Sequence, residues 1–266
     1  MLRDITIGQY YPENSIIHRL DPRFKILATF VYIISLFIID KLFAYTLVTV
    51  FLGILIILSK VPLAYILRGL KPIFIIIIIT FGINIFMTKG VVIYNIGPLE
   101  ITKEGLTTAV FMVLRLIYLI VGTSLLTLTT SPIQLTDGIE KLLNPFKRIG
   151  VPAHELAMMM TIALRFIPTL LEETDKIMKA QMARGADFES GNIVKRAKSL
   201  IPLLVPLFIG AFRRADDLAM AMEARCYRGG ENRTRMKELR LHKRDYIASV
   251  IVIAFVVLLI FTRIQG

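Results

Sequence analysis

Apolar residues gather in five long stretches, 24–39, 42–58, 73–87, 106–128 and 246–262, each bounded by charged or turn-forming residues. A helix needs about 20 apolar residues to cross a bilayer, with about 17 as the lower limit. Each stretch is therefore a candidate span. The fourth is the longest, and the first and third are short. Only Asp40-Lys41 separates the first two, which predicts a tight helical hairpin. Ile75 to Ile79 form a β-branched run, but the length and polar flanks of the third stretch favour a membrane helix over a buried strand. The pattern predicts an all-α integral membrane protein with about five transmembrane helices.

Residues 129–245 break the pattern and form a long polar insert between the fourth and fifth spans. The expected organisation is a membrane part over 1–128 with four helices, a helical domain over 129–245 and a last membrane helix over 246–266. Within the insert, Ser131-Pro132 fits a helix start, with Ser at the cap and Pro in the first turn. Asn144-Pro145 and Gly150-Val151-Pro152 are breaks. A long helix is expected from about Ala153 toward Arg184, bent at Pro168 and stopped by Gly185. Gly191-Asn192 begins the next segment. Residues 200–212 are apolar but contain Pro202 and Pro206, and predict a short buried or interfacial helix. A separate helix is expected from about Arg213 to Tyr227, ending at Gly229-Gly230.

Composition supports membrane residence: 55% of the 266 residues are hydrophobic and the mean hydropathy is +0.67, beyond an ordinary soluble domain. The net charge of +12 would suggest nucleic acid in a soluble protein. In a membrane protein it fits Lys/Arg excess on the cytoplasmic side. Arg3, Arg19, Arg23 and Lys25 precede the first span, and Lys60, Arg68 and Lys71 follow the second. The opposite side carries only Lys41, Lys89, Lys103 and Arg263. The asymmetry predicts a cytoplasmic N-terminus and insert and an external C-terminus. Residues 1–25 lack an apolar core, so no cleavable signal peptide is expected. The single cysteine, Cys226, excludes an internal disulfide framework and a cysteine zinc cage.

The insert contains a near-repeat. At an offset of 41 residues Asp175 matches Asp216, Ala180 matches Ala221, Ala183 matches Ala224 and Arg184 matches Arg225. On helical spacing Ile177, Ala180, Gln181 and Arg184 share one face, as do Leu218, Ala221, Met222 and Arg225. Each arginine thus closes a small, apolar stripe at a helix C-terminus. An arginine there also complements the helix dipole, but dipole capping does not require a matching Ala-Arg at both ends. Two similar grips suit two similar partners.

Other chemistry is sparse. Met158, Met159, Met160, Met178, Met182, Met220, Met222 and Met236 cluster in the insert, as core packing or as an adaptable apolar platform. Arg115 lies inside the fourth span without an acidic partner in any span, and a structural role is expected for it. Asn84 is expected to make an interhelical hydrogen bond. His154-Glu155 begins like a zinc-protease motif, but position 158 is methionine and the second ligand is missing. His18, His154 and His242 are too scattered to suggest a metal. There is no G-x-x-x-x-G-K-[ST] loop, so any ATPase must be another chain.

Motifs then point to a family. Leu20-Asp21-Pro22-Arg23-Phe24-Lys25 resembles the L-D-P-R-x-K motif of the transmembrane T-component (EcfT, CbiQ-like) of energy-coupling factor transporters. Leu164-Arg165-Phe166-Ile167-Pro168 followed by Ala183-Arg184-Gly185 resembles its first coupling signature, and Ala221-Met222-Glu223-Ala224-Arg225-Cys226 its second. Cys226 departs from the commoner glycine. The resemblance implies a prokaryotic plasma-membrane scaffold that joins two ABC-type ATPases to a small substrate-binding S-component for vitamin or metal-ion uptake. It implies ATPase contacts at both triplets, Ala183-Arg184-Gly185 and Ala224-Arg225-Cys226. Met158 and Met159 are candidate S-component contacts. No cofactor is expected on this chain, since ATP belongs to the partners, and no nucleic acid. The competing classes are an intramembrane enzyme, for which Arg115 and Asn84 are poor material, and a membrane-anchored binder of acidic lipid or nucleic acid. Glu172, Glu173, Asp175, Asp216, Asp217 and Glu223 interrupt the cationic stripe that such a binder needs.

Overall fold

The computed structural model describes residues 10–39, 41–96, 99–188, 192, 194, 198–229, 239 and 241–264. Arg3, Asp40, Gly191, Gly230, Met236 and most of the charged stretch before the last helix lie outside the described residues.

The helices follow the apolar stretches. They are α1 (Pro22–Ile38), α2 (Leu42–Ser59), α3 (Leu63–Leu70), α4 (Phe74–Met87) and α5 (Lys103–Thr129), then α6 (Pro132–Leu143), α7 (Ala153–Ala183), α8 (Ile201–Ala224) and α9 (Lys243–Ile264). Ile75 to Ile79 are helical. A 3-10 turn over Lys71–Ile73 joins α3 to α4, so one apolar rod runs over Leu63–Met87. A small antiparallel hairpin of β1 (Val92–Ile96) and β2 (Leu99–Thr102), not anticipated, connects α4 to α5.

Among the described residues, five helical segments are long and apolar enough to span a membrane: Leu42–Ser59, Leu63–Met87, Lys103–Thr129, Ala153–Ala183 and Lys243–Ile264. Four coincide with expected spans. The other is α7, whose first half is apolar and whose second half carries Glu172, Glu173, Asp175, Lys176 and Lys179. α1, with 17 residues, sits at the lower limit for crossing.

The described residues divide into two compact units, one over 10–138 with 239–264 and the other over 139–229. In the first unit α5 packs against α1, α2, α3 and α4, and α9 against α1 and α2. Small residues on α5 permit this close approach. A Cβ at Gly122 would stand 2.3 Å from the Tyr32 ring, and one at Gly105 would stand 3.0 Å from the Ile85 carbonyl. Tyr32, Leu36, Val48, Leu52, Phe255 and Leu259 form the core, with Phe51 stacked on Phe255 at 4.0 Å.

One intramembrane polar residue differs from expectation and another agrees with it. Asn84 Nδ2 donates to Thr80 O at 2.8 Å, within its own helix rather than across helices. Bonding one turn back satisfies an amide in an apolar setting without a partner helix. Arg115 Nη2 donates to Ile39 O at 3.1 Å, with the guanidinium over the Phe37 ring. The Ile39 carbonyl at the end of α1 takes the place of an acidic partner.

The insert contains one expected feature and one departure, each with a clear cause. Ser131 and Gln134 form a reciprocal capping box at the start of α6 (3.3 and 3.2 Å), as Ser131-Pro132 suggested. The two helices expected over 200–212 and 213–227 are one continuous helix, α8. Pro202 lies in its first turn, where the missing N–H costs nothing. Pro206 leaves the Pro202 carbonyl unbonded within the helix, and that carbonyl instead accepts a long contact of 3.5 Å from Gln181 Nε2.

The L-D-P-R-x-K motif gathers three helix ends. Asp21 caps α1, accepting from Arg23 N at 2.8 Å and pairing with the Arg23 guanidinium at 2.9 Å. Its own N–H donates to Asp245 Oδ1 at 2.8 Å, and Asp245 Oδ2 accepts from His242 N at the start of α9. Lys25 Nζ donates to Thr129 O at 2.9 Å, His18 O at 3.2 Å and Thr130 Oγ1 at 3.3 Å, closing the end of α5 onto the node.

His18 is held as a neutral ring beside this node. Its Nε2 donates to Tyr11 O, and its Nδ1 accepts from the Ser15 hydroxyl at 2.7 Å. Burial holds its pKa below the ordinary 6.5, aided by the nearby Lys25 charge and opposed by the Tyr11 carbonyl. The unfolded chain therefore takes up the proton first as pH falls. The stabilising contribution of His18 is complete above 6.5 and is lost progressively below it. Thermal unfolding at about pH 7.5 and about pH 5.5 is expected to show a smaller pH dependence in His18→Gln than in the parent. An equal dependence would assign the acid loss to other groups.

Candidate functional site

The two arginine triplets end α7 and α8, both in the second unit. α7 runs on through Pro168 to Ala183. Arg184 caps it with φ −89° and ψ 8°, and Gly185 turns left-handed at φ +86°. Gly185 N donates to Met182 O at 2.9 Å and Ala186 N to Gln181 O at 3.0 Å. α8 ends in the same way. Arg225 has φ −92° and ψ 10°, Cys226 turns left-handed at φ +54°, Cys226 N donates to Glu223 O at 2.8 Å and Tyr227 N to Met222 O at 3.0 Å. Each is a Schellman motif, the paired bond pattern that satisfies the last carbonyls of a helix. The 41-residue near-repeat is thus a repeat of backbone geometry. In both copies arginine is the cap residue, one position before the left-handed turn.

Ala183, Arg184, Gly185, Ala224, Arg225 and Cys226 are all exposed. Neither arginine makes a hydrogen bond or ion pair with its side chain among the described residues. They are presented outward rather than consumed by the fold.

Cys226 occupies a backbone conformation in which a Cβ costs roughly 1–2 kcal/mol. Cys226→Gly is therefore expected to stabilise the second unit by about 1 kcal/mol. Gly185→Ala is expected to destabilise it by a similar amount. Paired thermal melts in detergent check both signs, and a destabilising Cys226→Gly would show that the thiol has a contact worth more than the strain.

α7 and α8 pack antiparallel. Glu173 pairs with Arg214 near the middle. Gln181 reaches Pro202 at one end. At the other end the Tyr227 hydroxyl lies 2.9 Å from Met158 Sδ and 3.3 Å from His154 Nε2. His154 Nδ1 in turn donates to Glu140 Oε1 at 3.1 Å. About 35 Å of helix lies between Met158 and Gln181, so the triplets sit at opposite ends of the pair. The structure does not bring Arg184 and Arg225 together. It holds them apart, one at each end of a two-helix beam.

The His154–Glu140–Tyr227 network was not anticipated. Tyr227 directly follows the second triplet, so this network fixes one arginine tip. Only the odd His154-Glu155 pair hinted at it. Of the two candidate methionines, Met158 is half-buried beneath Tyr227, whereas Met159 is 58% exposed.

Apolar helices long enough to cross a membrane define a polytopic membrane protein, and its second unit presents two matched, exposed arginine caps. Residues 13–236 match the family model of the cobalt transport protein CbiQ. An energy-coupling factor transporter transmembrane protein EcfT of Thermosediminibacter oceani is 71% identical over 249 residues, 94% of each chain. The EcfT of Clostridium kluyveri is 63% identical over 266 residues, covering 99% of this chain and 98% of the relative. That of Bacillus subtilis is 49% identical over 264 residues, covering 99% and 100%. The chain belongs to this EcfT/CbiQ-like family of energy-coupling factor transporter transmembrane components. It is a multi-pass transporter component and not an enzyme.

Proposed function

We propose that this chain is the coupling scaffold of an importer, joining two ABC-type ATPase subunits to a substrate-binding S-component for vitamin or metal-ion uptake. The observation that carries the reading is the repeated Schellman cap with an exposed arginine at each end of the α7–α8 beam. Ala183-Arg184-Gly185 docks one ATPase and Ala224-Arg225-Cys226 the other. Arginine suits the task because its planar fork pairs bidentately with carboxylate and stays charged. ATP is bound and hydrolysed by the partners, and this chain holds no cofactor. Residues 129–245 and the N-terminus face the cytoplasm of a prokaryotic cell, in keeping with the Lys/Arg asymmetry. The apolar first halves of α7 and α8 lie along the membrane interface. ATP-driven closure of the two ATPases displaces the tips, and the beam passes that displacement to the S-component.

The test is a mild-detergent pull-down from the native host with mass spectrometry. Two ABC-type ATPase chains and one or more small membrane proteins are expected. Good recovery of bait without an ATPase would remove the coupling role from both arginines.

Met159 is the sharper probe of the S-component contact, because Met158 also packs under Tyr227. Met159→Asp is expected to release the small membrane protein while both ATPases stay bound. Retention of both, or loss of both, would assign the methionines to packing.

A further inference from the structure

The first unit contains a cleft of about 400 Å³ between α1, α2, α5 and α9. Its floor is buried and apolar, formed by Tyr32, Leu52, Leu125 and Phe255. Its rim is exposed: Ile54, Leu58, Ile247 and Ile251 are between 41% and 62% accessible. Inside a bilayer such a cleft faces hydrocarbon, not water.

Charge within the cleft is confined to one end. Lys25 and Arg244 line it there, beside Leu20, at the starts of α1 and α9. Lys25 is committed to its own chain, donating to Thr129, Thr130 and His18. Asp21 and Asp245 are buried in the same node, the first paired with Arg23 and the second accepting two backbone N–H groups. Arg244 is exposed and has no ion pair among the described residues. Among the described residues the mouth of the cleft therefore offers Arg244 as an unmatched cation.

Dimensions identify the occupant. From Arg244 to Val256 along α9 is about 18 Å of helix, and from Leu20 to Tyr32 along the start of the chain and α1 is about the same. One leaflet of hydrocarbon is about 15 Å thick, half the usual core. The cleft thus runs from headgroup level to the midplane. Its volume spread over that length is one extended hydrocarbon chain wide, well under the 10–12 Å of a helix with its side chains. We propose that the cleft binds one acyl chain of an anionic phospholipid from the leaflet on the α9 N-terminal side, with the headgroup phosphate on Arg244.

The chain contains no tryptophan, so a single introduced one is a clean reporter. Ile251→Trp places it on the cleft rim. Ile253→Trp, exposed on the same helix but outside the cleft, is the control. Each full-length variant is reconstituted in phosphatidylcholine and titrated with brominated phosphatidylglycerol or brominated phosphatidylcholine. Quenching at Ile251→Trp is expected to favour phosphatidylglycerol by about five-fold, with no preference at Ile253→Trp. Adding Arg244→Gln is expected to abolish the preference, whereas Lys243→Gln, an adjacent exposed cation outside the cleft, leaves it. Because tryptophan narrows the rim, retention of phosphatidylglycerol by the parent and by Arg244→Gln is also compared by mass spectrometry after detergent washing. Several-fold lower retention in the variant supports the site. Equal quenching by the two lipids together with equal retention overturns it. So does quenching at Ile253→Trp with none at Ile251→Trp, which would give the cleft to a protein helix.

Discussion

Replacing both Arg184 and Arg225 by glutamate is expected to abolish assembly of this chain with ATPase subunits while leaving it folded in the membrane. Both side chains are exposed and make no bond among the described residues, so their loss removes nothing from the described core. Each single change removes a charge that docking would desolvate, a loss of about 2–5 kcal/mol, or roughly 30-fold or more in dissociation constant. Glutamate at a helix C-terminus also opposes the helix dipole by about 0.3–1 kcal/mol. Arg184→Gln and Arg225→Gln separate that term from docking, since they remove the charge without reversing it. The tips are about 35 Å apart along the beam, too far to share a contact, so the single effects on binding should add. The check is co-purification of ATPases on a sizing column, with unfolding of the scaffold followed in parallel. Undiminished complex with the double variant would sink the docking role. Strong non-additivity between the singles would mean that both arginines address one site.

What the sequence made legible follows from how local each signal is. The 73–87 stretch was readable as a helix because its length and flanks outweigh the β-branched run Ile75–Ile79. The end of α7 was readable because Gly185 follows the arginine, whereas α8 ends at Ala224, short of the expected Tyr227, because its left-handed turn falls on Cys226 and not on Gly229. Cys226 looked like a departure, yet its backbone does what Gly185 does, since six residues of hydrogen bonding and not the side chain define the turn. Pro202 and Pro206 suggested a break, and the helix continued because a side chain on α7 took over the freed carbonyl. Arg115 found its counter-charge in backbone at the end of α1, and no list of acidic residues would reveal that. The pairing of Asp21 with Asp245 was hidden because the partners are 224 residues apart. The L-D-P-R-x-K motif was recognisable as a family mark, but its purpose was visible only once three helix ends met.

That purpose yields the second large effect: Lys25→Met is expected to destabilise the membrane unit by about 2–3 kcal/mol, the scale of losing a charged donor and leaving its buried acceptors unsatisfied. Methionine keeps most of the stem, so the loss is polar and not a cavity. The Thr129 and His18 carbonyls lose their donor, and the buried Asp21 and Asp245 carboxylates lose a neighbouring cation. Against a total stability of about 5–15 kcal/mol, this is enough to lower the yield of folded protein. Lys25→Arg should not rescue fully, because three acceptors surround a point ammonium and a planar guanidinium cannot reproduce that arrangement. The node also makes a prediction about coupling. If Lys25 acts through Asp245, Asp245→Asn in the Lys25→Met background should cost less than in the parent, because the orphaned carboxylate is then neutralised. Thermal unfolding of the four-member cycle in one detergent measures this. A Lys25→Met variant within about 1 kcal/mol of the parent, the scale of a routine substitution, would show that water or lipid satisfies the node without the lysine. The joining of α1, α5 and α9 would then have to be ascribed to the Tyr32–Phe255 core alone.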